Sequence, residues 1–123
     1  MKRVVIESPY SGDIISKQYW YVSYARGCLW DSLSRQESPF ASHLLYTQVL
    51  NDKIPEQREM GMRLALPWYN AADLCAVYTD LGISSGMEQG IAYAESIGLT
   101  VEKRSIKDDS PTSFVQSFTF SGW

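Results

Sequence analysis

Short apolar runs alternate along the chain with longer stretches of helical spacing. Val4, Val5 and Ile6 form an apolar run with the turn cluster SPYSGD directly after it, which predicts a buried strand feeding a loop. Residues 18 to 35 place Tyr21, Tyr24, Ala25, Cys28, Leu29 and Leu33 on neighbouring positions of a helical surface. Gly27 inside that pattern costs about 1 kcal/mol against Ala, so close packing is expected there. The segment ESPFASHLLYTQ predicts a short strand around Phe40 and Ala41, then an exposed loop. Pro55 and Glu56 suit the first turn of a helix running towards Trp68, and Pro67 is expected to kink it or end it early. DLCAVYTD, residues 73 to 80, reads as a central strand, apolar on both faces. Residues 85 to 97 predict a helix with Gly98 as its stop, and residues 100 to 106 another strand. The tail SFVQSFTFSGW alternates apolar and polar positions, as an edge strand or an interface arm would.

Strands that alternate with helices imply an α/β fold. The expectation is one small doubly wound domain over residues 1 to 123, Rossmann- or flavodoxin-like, with three layers and a mainly parallel sheet of four or five strands. Ligands in such sheets bind beyond the carboxyl ends of the strands, where the strand order reverses. That rule selects the loop SPYSGD, the neighbourhood of His43 and the loop LGISSG after the central strand.

Composition narrows the function classes. The 123 residues suit a single domain. Net charge is −3 with no basic stripe, which argues against binding polymeric nucleic acid. A small phosphorylated ligand stays compatible, because helix N-termini can hold one phosphate. No apolar stretch approaches the roughly 20 residues of a membrane span, and MKRVVIESPY turns polar too soon for a signal peptide, so a cytoplasmic location is expected. Cys28 and Cys75 lie inside apolar patterns, as buried thiols of a reducing compartment do. With one histidine and no Cys-x-x-Cys, neither a metal site nor a cofactor is expected. The four Trp and eight Tyr exceed what a minimal core needs, which suits a groove or a subunit interface.

Each candidate residue has two readings. In SPYSGD, Gly12 opens backbone conformations closed to other residues, and Ser8 and Ser11 offer donors for a phosphate or ribose; an ordinary strand-to-helix turn has the same composition. The loop is neither G-x-G-x-x-G nor a Walker loop. Ser85 and Glu88 have the S-x-x-E spacing of a capping box, which needs no chemistry. Turned into a cleft instead, Glu88 can attack an anomeric carbon or stabilise the positive charge of a breaking glycosidic bond. His43 can protonate a leaving purine or bond a ribose hydroxyl, or be a structural histidine. Tyr10 and Tyr46 can stack on a base or pack in the core. Arg26 is a phosphate contact if it points to the cleft and a surface ion pair if it does not.

Gly86-Met87-Glu88-Gln89-Gly90 resembles the G-x-E-x-G segment of the nucleoside 2-deoxyribosyltransferase family, including its relatives that hydrolyse 2-deoxynucleoside 5-monophosphates. The resemblance implies that Glu88 is the nucleophile, opening the helix after a central strand that ends in an acidic residue, here Asp80. It implies that Ser8, Ser11, Gly12, Ser84, Ser85 and Gly86 hold sugar and phosphate. The Ala71-Ala72-Asp73 run before the central strand fits the same pattern. YARGCLWDSL, SPFASHLLYTQ and YTDLGISSGMEQGI are similar to an uncharacterised deoxyribosyltransferase-like group frequent in phage genomes, and the likeness extends to about Ile106. One departure stands out. The active enzymes carry an aspartate in the helix before the central strand, and the aligned position here falls near Ala65, with no Asp between Gly61 and Asn70.

Two functions follow as expectations. One is cleavage or transfer at an N-glycosidic bond of a nucleoside or nucleotide, with Glu88 as nucleophile and His43 assisting the leaving base. The other is a nucleotide-binding protein without turnover, such as a phage anti-defence sponge for a cyclic nucleotide or cyclic ADP-ribose signal. The resemblance also implies sites completed by a neighbouring subunit, hence a homodimer or higher homo-oligomer.

Overall fold

The computed structural model of the chain describes residues 1–10 and 15–106. Val4, Val5 and Ile6 favour extended backbone and form β1, Arg3–Glu7, which is buried from Val4 to Glu7. A long helix follows as α1, Ile15–Ser34, and leads into the three-residue strand β2, Ser38–Phe40. Where the sequence predicts an exposed loop, the chain forms a short helix, α2, Ser42–Leu45, and a 3-10 turn, Tyr46–Gln48. Helix α3, Pro55–Ala71, opens on its proline, whose missing amide costs nothing at a helix start. The remaining elements are β3, Leu74–Tyr78, α4, Ser85–Ser96, and β4, Val101–Arg104.

Pro67 neither ends nor shortens α3 as the sequence leads one to expect, since the helix continues to Ala71. Proline forfeits one backbone bond. The turn beyond it carries Tyr69, only 7% exposed, and burying that ring against the sheet outweighs the loss. The alternating tail expected as a strand or arm lies outside the described residues.

Among the described residues the sheet has four strands in the order β2-β1-β3-β4, all parallel. The expected α/β doubly wound architecture is therefore present. From β1 the chain steps to one side for β2 and returns to the other side for β3, so the order reverses between β1 and β3. Alternation along the strands splits the core in two. Val4, Ile6, Leu74, Ala76 and Tyr78 pack with Tyr24 and Cys28 of α1 on one face. Val5, Cys75 and Val77 pack with Tyr69 of α3 and with Met87 and Ala94 of α4 on the other. Both cysteines are free and buried.

The α1 face carries a polar network. Arg104, 6% exposed, makes a two-pronged contact with Glu37 at 2.8 and 2.7 Å and touches the Tyr78 hydroxyl at 3.1 Å. Those hydrogen bonds hold the Glu37 carboxyl below its usual range, against the opposing effect of burial. No helix among the described residues is long and apolar enough to cross a membrane.

Candidate functional site

A cavity of about 780 Å³ opens at the carboxyl ends of the strands, on the α3 and α4 side of the reversal point. Ser8, Tyr10, His43 and Tyr46 line one part of it, and Ser84, Ser85 and Gly86 another. The first strand, the α2 region and the start of α4 therefore converge, as the strand-order rule predicts. Ser11 and Gly12 lie outside the described residues.

The most buried carboxylate residue on the wall is Glu7, the last residue of β1. It follows Val5 on the same strand face, so its side chain enters the apolar layer beneath α3 and α4. The residue is 7% exposed, and its carboxyl accepts a hydrogen bond from the Tyr69 hydroxyl. Burial pushes its pKa up to about 7, and the Tyr69 bond pulls in the opposite direction. Gly90 of α4 makes room for this pair. A Cβ at that position would lie 2.6 Å from the Tyr69 oxygen and 2.7 Å from the Glu7 carboxyl carbon. The last glycine of the G-x-E-x-G segment is thus needed for a carboxyl on another strand.

His43 and Ser8 form the second polar pair. The His43 Nε2 and Ser8 Oγ are 2.7 Å apart, and the tautomer decides which of them donates. Ser8 is 5% exposed. Tyr10 meets the imidazole edge to face at 6.4 Å. Burial lowers the His43 pKa to about 4, with Asp52 opposing. At neutral pH the ring is uncharged, suited to a hydrogen bond with a hydroxyl and a weak proton donor to a leaving base.

The helix start at α4 differs from its expected form. Ser84, with extended backbone, is the capping residue. Its hydroxyl accepts from the Met87 amide at 3.2 Å, while its own amide reaches the Met87 sulfur at 3.4 Å. The capping box predicted for Ser85 and Glu88 is thus shifted back by one residue. The reason is the buried face of the helix: Met87, Gly90 and Ala94 must face the sheet, and this puts Glu88 outside. Glu88 is exposed and does not line the cavity.

Two other candidates fall elsewhere. Arg26 is exposed on α1, across the sheet from the cavity. Asp80 is engaged in structure: it accepts from the Tyr24 hydroxyl and the Ser105 hydroxyl, each at 2.5 Å, and from the Ile106 amide at 3.1 Å. It ties the end of β3 to α1 and to the chain leaving β4. Tyr46 does line the cavity, but its hydroxyl is bonded by the Trp68 indole at 2.9 Å. Also on the wall, Arg58 pairs with Asp52 at 2.7 Å, and Arg63 with Glu59 at 3.2 Å. Ala65, where the resemblance finds an aspartate missing, lines the cavity one helical turn before Tyr69. No group of three or more His, Cys, Asp or Glu suited to a metal ion occurs among the described residues.

Glu7 and Tyr69 were not among the sequence candidates, and Gly90 entered only as the last glycine of the G-x-E-x-G segment. The sequence signal for Glu7 is alternation: a carboxyl continuing the inward face of a central strand, at its carboxyl end. The partners lie 62 positions apart in the chain, so no local spacing joins Glu7 to Tyr69. No curated protein and no solved structure matches the chain. A family model described as a domain of unknown function, DUF7768, matches residues 2–104, and the chain belongs to that family.

Proposed function

We propose that this protein recognises a nucleoside or nucleotide in the cleft at the carboxyl edge of its sheet and acts on the N-glycosidic bond. The observation that carries this reading is the convergence of Glu7, the Ser8–His43 pair and the Ser84–Gly86 helix start on one cavity of about 780 Å³. That volume suits a small ligand. The likeness of residues 86–90 to the deoxyribosyltransferase segment supports the substrate class. In this reading the uncharged His43 and Ser8 bond sugar hydroxyls, and the α4 start takes a phosphate. Tyr10 offers a ring face to the base.

A panel of deoxynucleosides, their 5-monophosphates, NAD and cyclic nucleotides, incubated with the protein and separated by chromatography, tests the proposal. Free base from one member is the expected product. Turnover of none, together with binding of none, rejects it.

A second reading has its own support, because Glu88 lies outside the cavity and Ala65 stands where an acid is expected. The cleft would then hold a cyclic nucleotide or cyclic ADP-ribose species intact, as an anti-defence sponge does. Heat release of bound material separates the two: intact ligand supports sequestration, and free base supports cleavage. The buried free thiols support a reducing compartment for either reading. Trp30 and Leu33, exposed on α1, support a homo-oligomer, expected at twice the chain mass or more by light scattering.

A further inference from the structure

We propose that Glu7 is the group that exchanges a proton with the ligand in this cleft, giving it to the departing base and taking one back from water. This rests on the N-glycosidic reading above.

The geometry singles out Glu7 among the charged groups on the wall. Asp52 is paired with Arg58, both partly buried, and Glu59 with Arg63, both exposed. Glu7 lies deeper, on the strand that ends at the reversal point, and its carboxyl meets the cavity beside Ser8. Tyr69 donates to its Oε2, which leaves Oε1 to carry the mobile proton. Gly90 keeps α4 from filling the space the carboxyl occupies. Ala65 lies one turn from Tyr69 on α3, and both Ala65 and Glu7 line the cavity.

The neighbours leave the carboxyl in an unusual condition. Tyr69 faces it from α3, Cys75 from β3, and Met87 and Gly90 from α4. None of these carries charge at neutral pH, since burial raises the Tyr69 hydroxyl above its ordinary value and the Cys75 thiol to about 12. His43 on the cavity side is uncharged as well. With a pKa of about 7, Glu7 is present in both forms near neutrality, the condition for a group that must give and then receive a proton.

The steps balance. The bond between the anomeric carbon and the base nitrogen breaks, and its electron pair stays with the base. The Glu7 proton goes onto a ring nitrogen of that base. Water entering through the open cleft adds to the anomeric carbon and gives one proton to the Glu7 carboxylate. The net reaction is hydrolysis to free base and a sugar hydroxyl. Glu7 is the catalytic residue of this scheme, and Tyr69 is a positioning residue that acts through it.

The test compares the full chain with Glu7→Gln, Tyr69→Phe and Glu88→Gln. Ligand binding is measured by calorimetry and base release by chromatography, from about pH 5 to about pH 9. Base release by the unmodified protein is expected to fall about tenfold per pH unit above about pH 7. Glu7→Gln is expected to bind within a few-fold and to lose release by about 100-fold or more. Tyr69→Phe, which keeps the packed ring, moves the midpoint to higher pH, because the lost bond favoured the ionised carboxylate. Glu88→Gln releases base at the unmodified rate. Release that survives in Glu7→Gln overturns the proposal, and so does an unmoved midpoint in Tyr69→Phe. Binding without any base release by the unmodified protein overturns the role of Glu7 while recognition stands. Binding of no panel member overturns recognition itself, and the proposal with it.

Discussion

One atom decides the arrangement of the cleft wall at the residue scale. Gly90 has no Cβ, and the position a Cβ would take lies inside contact distance of both Tyr69 and Glu7. Gly90→Ala is therefore expected to cost about 1–3 kcal/mol, as overpacking in a core does. Chemical denaturation measures it, and a cost near zero would show that the pair moves aside freely. Glu7 and Glu88 show how weakly a carboxylate's role is written in its local sequence. Glu88 sits in a recognisable motif and faces outward, whereas Glu7 sits in no motif and enters the core. What separates them is which face of a strand or helix each occupies, and that follows from what the neighbouring apolar residues bury against.

At the element scale the parts are joined by polar contacts as well as apolar layers. Arg104 at the end of β4 reaches Glu37, between α1 and β2, on the other side of the sheet order. Both side chains are largely buried, at 3% and 11% exposure. Removing one partner of such a pair leaves the other charge desolvated. Arg104→Ala is expected to cost about 3–5 kcal/mol, and Glu37→Gln with Arg104→Met together less than Arg104→Ala alone. A denaturation double-mutant cycle checks this, and additive costs would contradict it. Elements were mostly legible in the sequence. β3, α4 and its stop at Gly98, which has a positive φ, appear where the pattern puts them. The α2 helix and the turn after it were not, because a single helical turn has too few residues to show a period.

At the scale of the whole molecule, Glu7 and His43 have opposing effects on stability. Burial raises the Glu7 pKa from 4.5 to about 7, so the folded state holds more protons than the unfolded chain between those values. That contribution is complete below about pH 4.5 and is lost as pH rises through about 7, a change of about 3 kcal/mol. Burial lowers the His43 pKa from 6.5 to about 4, so its contribution is complete above about pH 6.5 and is lost as pH falls through about 4. The slopes oppose each other where the windows overlap, and their sum is nearly flat there. Glu7→Gln should make stability fall more steeply on acidification between about pH 6.5 and 4.5, and His43→Gln should make it rise. Urea midpoints across that range read both slopes, and parallel profiles for the two variants would refute the assignment.

The sequence by itself determined the α/β class, the central strands and the edge of the sheet at which the cavity opens. These follow from short-range periodicity and from a topological rule that needs only the order of elements. Placement of Ser8, Tyr10, His43, Tyr46 and Ser84–Gly86 on one cavity follows from that order. Only the tertiary structure decided which carboxylate residue is buried in the cleft wall, which serine caps α4, and that Arg26 and Asp80 lie apart from the cavity. Those outcomes depend on the direction in which each side chain leaves its element, and on partners distant in the chain. Tyr69 and Gly90 meet Glu7 only once α3 and α4 have packed on the same face of the sheet.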